Sequence, residues 1–306
     1  MADVAMADAA LAGTATRRGP GSGASLGSRL TALAGVVPFA VYTIVFLGIP
    51  TVAIILGAFQ RPSGGYTLDN IRVASTGVYR TGFETSLELA VLTSVFPGIV
   101  GLLVAYAVHT SRGESLRRIV TTASGVFANF GGVPLAFLFI ATLGTTGIAT
   151  SWLNSLGLNP YSHGFSLYTF VGVSLVYMYF QIPLMVLVIT PALGGLRSAW
   201  REAASNLGAR SWYYWRHVGG PVLLPSALGA VLLLFGSALS AYATAEALTS
   251  GSIAITPIQI GSFLNGNVIA GQQNVGKALG LGMIVVIAIV MLLYGLLQRR
   301  ASRWLR

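Results

Sequence analysis

Cysteine is absent from this 306-residue chain, lysine occurs once, at Lys277, and only 8% of residues are charged. The missing thiols exclude disulfides, thiolate nucleophiles and cysteine-ligated metals. The scarcity of charge excludes an ordinary soluble domain, in which roughly a quarter of residues are charged. Histidine is also sparse. His109, His163 and His217 fall in separate loops without metal-ligand spacing, and neither a Gly-x-Ser-x-Gly elbow nor a paired-carboxylate motif is present. No catalytic centre, metal or cofactor is therefore expected. The net charge of +10 comes from arginines at the ends of apolar runs, not from a basic face interleaved with aromatics, so nucleic acid is not an expected partner.

What the chain has instead is apolar length. Its hydrophobic fraction is 54% and its mean hydropathy +0.75. A hydrocarbon core of ~30 Å needs about 20 helical residues. Six runs qualify, at about 33–58, 86–108, 120–143, 165–189, 226–248 and 277–297. Lipid offers no partners to backbone amides, and these runs are too long for barrel strands, so each must be helical. The expected fold is an all-α membrane protein, a bundle of six transmembrane helices. Pro38, Pro50, Pro97, Pro134 and Pro183 mark kinks or local unwinding.

Orientation follows from the basic residues. Placing the N-terminus in the cytoplasm puts fourteen arginines inside and leaves four basic residues outside: Arg61, Arg72, Arg80 and Lys277. The positive-inside rule thus predicts both termini in the cytoplasm, together with the 190–225 loop. Residues 1–29 are rich in Ala, Gly and Ser and lack the apolar core of a signal peptide. They read as a disordered cytoplasmic tail preceding a 30–306 membrane domain. The outer loop over 60–85 is polar and has room for a short interfacial helix.

The 190–225 loop has a compact internal logic. Ser198 can cap a helix over about 199–207, Gly208 can end and turn it, and a second short helix through Trp212 to His217 is stopped by Gly219, Gly220 and Pro221. Ala203 and Ala204 supply a small-residue face, and Arg201, Glu202 and Arg210 supply polar contacts. Trp200, Trp212, Tyr213, Tyr214 and Trp215 suit the headgroup layer. Without further information, a plain amphipathic interfacial hairpin is an equal reading.

The order Glu202-Ala203-Ala204, Gly208, then Val218-Gly219-Gly220-Pro221 resembles the cytoplasmic "EAA" loop of permease subunits of binding-protein-dependent ABC importers, with Gly220 where that family usually carries Leu. Tyr66, Leu68 and Asn70 resemble that family's entry to the second span. The resemblance implies that spans two to six form the core and that span one is peripheral. It implies that Arg201, Glu202, Ala203, Ala204, Gly208 and Pro221 couple the bundle to two copies of an ATPase subunit. It further implies a second permease subunit, commonly a homologue, and an extracytoplasmic substrate-binding protein. ATP would be bound by the partners. Gly271 to Ala278 has the spacing of a phosphate-binding loop but ends in Ala where a hydroxyl should hold magnesium. Gly276, Gly280 and Gly282 read better as a packing face of span six.

Polar groups within the spans are the substrate-pathway candidates, because lipid burial of such groups is costly. Glu246 and Tyr242, four residues apart, are expected on one helical face, with Ser240 and Thr244 on another. Asn129 is placed at mid-depth in span three and Gln181 in span four. Each has an alternative: Glu84 and Glu88 pairing with Arg80, and Asn129 and Gln181 bonding only across helices. The run Ala241 to Gly251, followed by Pro257 to Ile260, resembles the branch serving polyamines, phosphonates, thiamine and iron. Acids at the outer mouth suit a cation such as spermidine or putrescine. A carrier or channel working without an ATPase is the rival class, although neither an inverted repeat nor a midplane charge is visible.

Overall fold

The computed structural model of the protein describes residues 36–111, 113–266 and 272–302. The expected tail at 1–29, with Arg17, Arg18 and Arg29, lies outside the described residues, as do Arg112, Gly271, Arg303 and Arg306. Two compact units are distinguished, residues 1–53 and 54–306. In the first, the described residues form a helix with a π turn at Ile44–Gly48 and carry exposed Phe39, Ile44 and Phe46. A helix that is apolar all round has a lipid-facing surface.

Among the described residues six helices are long and apolar enough to cross a membrane: Val36–Ala58, Gly77–Thr110, Gly132–Ser155, Phe170–Gly194, Ser211–Ser240 and Val275–Leu297. In chain order the helices are α1 (Val36–Ala58), α2 (Asp69–Ala74), α3 (Gly77–Thr110), α4 (Glu114–Asn129), α5 (Gly132–Leu143) and α6 (Ile148–Ser155). They continue as α7 (Phe170–Gly194), α8 (Ser198–Asn206), α9 (Ser211–Ser240), α10 (Ala243–Thr249), α11 (Thr256–Leu264) and α12 (Val275–Ser302). No strand occurs among the described residues, where the β pairing is one isolated bridge, Gln60 to Tyr66.

Helices α3, α7 and α9 form the centre. One core cluster gathers Leu89, Leu135, Val176, Tyr177, Leu239 and Leu248. The other gathers Ala105, Met185, Ile189, Leu193, Leu223 and Leu234. The 60–85 loop does hold a short helix, α2. It is pinned by Asn70, whose buried amide donates to Ala58 O at 3.0 Å and Gln60 O at 2.9 Å. Asn274 donates to the same Gln60 O at 2.8 Å.

Three expected spans differ from those observed. The second begins at Gly77, because Arg80 and Glu84 pair at 2.7 Å and leave polar residues free to continue the helix beyond the apolar run. The third is not one helix over 120–143. It breaks at Phe130 and Gly131 into α4 and α5. The fifth is not continuous to Leu248 but breaks at Ala241 and Tyr242 before α10. Gly276, Gly280 and Gly282 do form a packing face, close to Phe263, Ile54 and Phe83 respectively. Residues 272–274 form a turn into α12, and no strand precedes it among the described residues; Gly271, the first residue of the loop spacing, lies outside them.

Candidate functional site

Two features lie at the two ends of α9. At its N-terminal end is the knob made by α8 and the following turn. The residue capping α8 is Arg197, in an extended conformation and without a side-chain bond, so Ser198 is the first helical residue and not the cap. Arg201, Glu202 and Ala203 are exposed and Ala204 is half-buried. Gly208 has φ +75°, with open space around the missing Cβ. Its N–H donates to Ser205 O, and Ala209 N–H donates to Ala204 O, each at 2.9 Å. The left-handed backbone therefore demands glycine here, whereas space does not.

Around this turn Leu207 is 87% exposed and Trp212 73%. With Ala209, Arg210 and Tyr213 they border a concavity of about 520 Å³. Apolar side chains this exposed beside the turn form a patch that the rest of the described chain leaves uncovered. The Arg197 guanidinium lies 5.9 Å from the Trp200 ring centroid, and Tyr213 stacks on His217 at 4.1 Å. Tyr214 does not belong to the headgroup layer. It is buried, and neighbouring Trp215 meets Tyr106 of α3 edge-on at 5.1 Å.

Nor do Gly219, Gly220 and Pro221 stop the second short helix. The chain continues through a π turn at Trp215–Gly219, where Gly220 N–H donates to Trp215 O, and on into the membrane helix. The wider turn absorbs Pro221, which has no N–H to offer. A Cβ on Gly219 would stand 2.9 Å from the Trp215 ring. The glycines thus admit the aromatic packing that keeps the rod unbroken.

At the far end of α9 the two breaks meet. Phe130 and Gly131 interrupt one path and Ala241 and Tyr242 the other, and Gly132 N–H donates to Thr244 Oγ1 at 2.8 Å. Gly132 has φ +73°. Tyr177 donates its hydroxyl to Ala241 O, fixing the second break to α7. Between the breaks lies an open cavity of about 450 Å³. Asn129, Ser237, Ser240, Tyr242 and Thr244 line it with neutral polar groups, and Phe180 supplies an apolar wall. Among the described residues no ionisable group except the Tyr242 phenol lines it. Discontinuous helices of this kind expose backbone groups only where protein or water covers them.

The four pathway candidates separate. Asn129 and Tyr242 both border the cavity, with the Asn129 amide donating to Gly125 O at 2.9 Å. Asn129 sits at a helix end, not in mid-helix. Gln181 is fully buried away from the cavity lining and donates to Leu234 O at 2.8 Å. This is the cross-helix alternative. Glu246 is half-buried in α10, and its Oε2 is enclosed without a hydrogen-bond partner. It does not border the cavity. The break also separates Ser240 from Thr244, so these two do not share one continuous helical face. Glu84 is held by Arg80, whereas Glu88 is exposed. Ser237, Phe180 and Gly132 were not candidates from sequence. Gly131-Gly132-Val133-Pro134 inside an apolar run was the available signal for the first break.

Residues 98–303 match the family described as binding-protein-dependent transport system inner membrane component. A probable sulfate transport system permease protein, cysT, from Nephroselmis olivacea is 24% identical over 85% of this chain and 87% of its own length. The spermidine/putrescine permease PotC homolog of Mycoplasma pneumoniae is 24% identical over 74% of this chain and 79% of its own. A bacterial ABC transporter that imports alginate matches in structure with a TM-score of 0.69 at 17% identity, over 90% of this chain and 96% of that one. A structure of an alginate transporter with its loaded periplasmic protein matches equally, at 0.69.

Proposed function

This chain belongs to the family of binding-protein-dependent transport system inner membrane components, and from that premise we propose that α9 works as a lever between an ATPase-gripped knob and a substrate cavity. The chain is a permease subunit of an ABC importer, a multi-pass membrane protein and not an enzyme. That class removes the carrier working alone. The reading is carried by one observation: α9 runs without interruption from Ser211 beside the knob to Ser240 in the cavity wall. Its 30 residues span about 45 Å at 1.5 Å each. A displacement of the knob therefore reaches the cavity through one continuous element.

In this cycle both termini and the knob are cytoplasmic. A loaded binding protein docks on the outer face, two ATPase copies close on ATP, and Arg201, Glu202, Ala203, Ala204 and Gly208 transmit the closure. Pro221 sits where the π turn joins the rod. A second, homologous permease completes the bundle. Asn129 and Tyr242 meet the substrate, with Glu246 behind the second break; Gln181 holds α7 to α9 as they move.

The cargo of this reading is a polyamine such as spermidine or putrescine. Among the described residues no cation lines the cavity, and Glu246 leaves one carboxylate oxygen unpaired behind it. The likeness to sulfate permeases favours an anion as the second reading. ATP-driven uptake of labelled spermidine and of labelled sulfate by the reconstituted complex separates them. Spermidine uptake weakened by Glu246→Gln supports the first. Sulfate uptake indifferent to that change replaces it with the second.

A further inference from the structure

We infer that a groove between α2, α3 and α12 binds one glycerophospholipid whose headgroup carries both a phosphate and a primary amine. This rests on observations independent of the cargo. The groove encloses about 380 Å³. Its floor is Ile71, Phe83, Leu279 and Gly282, and its rim is the pair Arg80 and Glu84. The recess is open at the surface, and its apolar floor suits an acyl chain where the bundle meets lipid. It opens beside the start of α3 and of α12, next to the short helix α2. In a membrane-spanning bundle this is the level at which lipid headgroups give way to acyl chains.

The rim has unused bonding capacity of both signs. Arg80 Nε donates to Glu84 Oε1 at 2.7 Å. No further partner of either side chain occurs among the described residues. Both terminal guanidinium nitrogens are therefore available to a phosphate, for which the planar fork is well shaped. Glu84 Oε2 is available to an ammonium that still has N–H donors. A free phosphate gains nothing from the apolar floor and is repelled by the carboxylate. A choline headgroup has no N–H to give Glu84. Phosphatidylethanolamine satisfies the floor and both rim groups together.

The experiment uses the full chain in nanodiscs of equimolar palmitoyl-oleoyl phosphatidylethanolamine and phosphatidylcholine, released into native mass spectrometry. One retained phosphatidylethanolamine per chain is expected, preferred by roughly fivefold or more, the scale of one charge-assisted hydrogen bond. Glu84→Gln should bring the two lipids to parity, and Arg80→Ala should abolish retention. Gly282→Leu, which fills the floor without touching the rim, should also expel the lipid. Circular dichroism checks that each variant keeps its helix content. If the variant fails that check, Phe83→Trp takes the place of Gly282→Leu. Equal retention of both lipids by the unaltered chain, or unchanged selectivity in the rim variants, overturns the inference. So does displacement of the lipid by millimolar inorganic phosphate, which would mark a site for the anion alone.

Discussion

The knob and the cavity stand at opposite ends of one helix and are built in opposite ways. The knob is a contiguous stretch whose important groups are exposed, and its shape depends on one left-handed glycine, Gly208. The cavity gathers Asn129, Phe180, Ser237 and Tyr242 from three separated parts of the chain, and its shape depends on two helix breaks tied by one bond from Gly132 to Thr244. A surface that must be recognised by another protein can be written locally. A passage that must open and close needs several elements that can part.

This difference predicts how each region fails. The largest effect is expected at the knob. Gly208→Pro forces φ near −65° where +75° is required, and Glu202→Ala removes its exposed carboxylate. Membrane insertion should persist in both while ATP-driven uptake falls about tenfold or more, equivalent to roughly 1.4 kcal/mol of coupling. Uptake assays paired with membrane fractionation check this, and full uptake in both variants separates the knob from coupling.

Next comes the junction of the breaks. Thr244→Val leaves the half-buried Gly132 N–H without its protein acceptor, a loss of about 0.5–1.5 kcal/mol. Thermal unfolding in detergent should shift down and uptake should slow, whereas Glu202→Ala, an exposed substitution, leaves unfolding unchanged. Gln181→Leu sharpens the contrast further. It deletes the bond to Leu234 O and also removes the partnerless Oε1. A net change of about 1 kcal/mol in stability is expected, with no change in the substrate concentration giving half-maximal uptake. A changed concentration dependence would return Gln181 to the passage. The smallest effect belongs to Glu246→Gln, which keeps shape and removes charge. A severalfold rise in the half-saturating spermidine concentration is expected with insertion intact, and unchanged uptake kinetics would remove this carboxylate from the passage.

The six crossings could be read from apolar run length, since few other structures can accommodate such runs in lipid. Their ends and interruptions could not. Arg80 and Glu84 extend α3 by pairing with each other, which no hydropathy pattern reveals. The break at Ala241 and Tyr242 carries neither Gly nor Pro. It is held by Tyr177 and by the Thr244 contact, both of which need the folded partner elements. At the knob, Gly208 was legible because glycine after a short helix has a specific backbone meaning. The continuation through Pro221 was not, because a π turn depends on Trp215 packing against Tyr106 from a distant helix.

Because the chain lacks cysteine, one introduced thiol reports the lever directly. Ser240→Cys, in the cavity wall, is labelled with a membrane-impermeant maleimide in the reconstituted complex, with and without ATP. Labelling that changes with ATP, and no longer changes when Glu202→Ala is added, is the predicted result. The same labelling in all four conditions would contradict the lever.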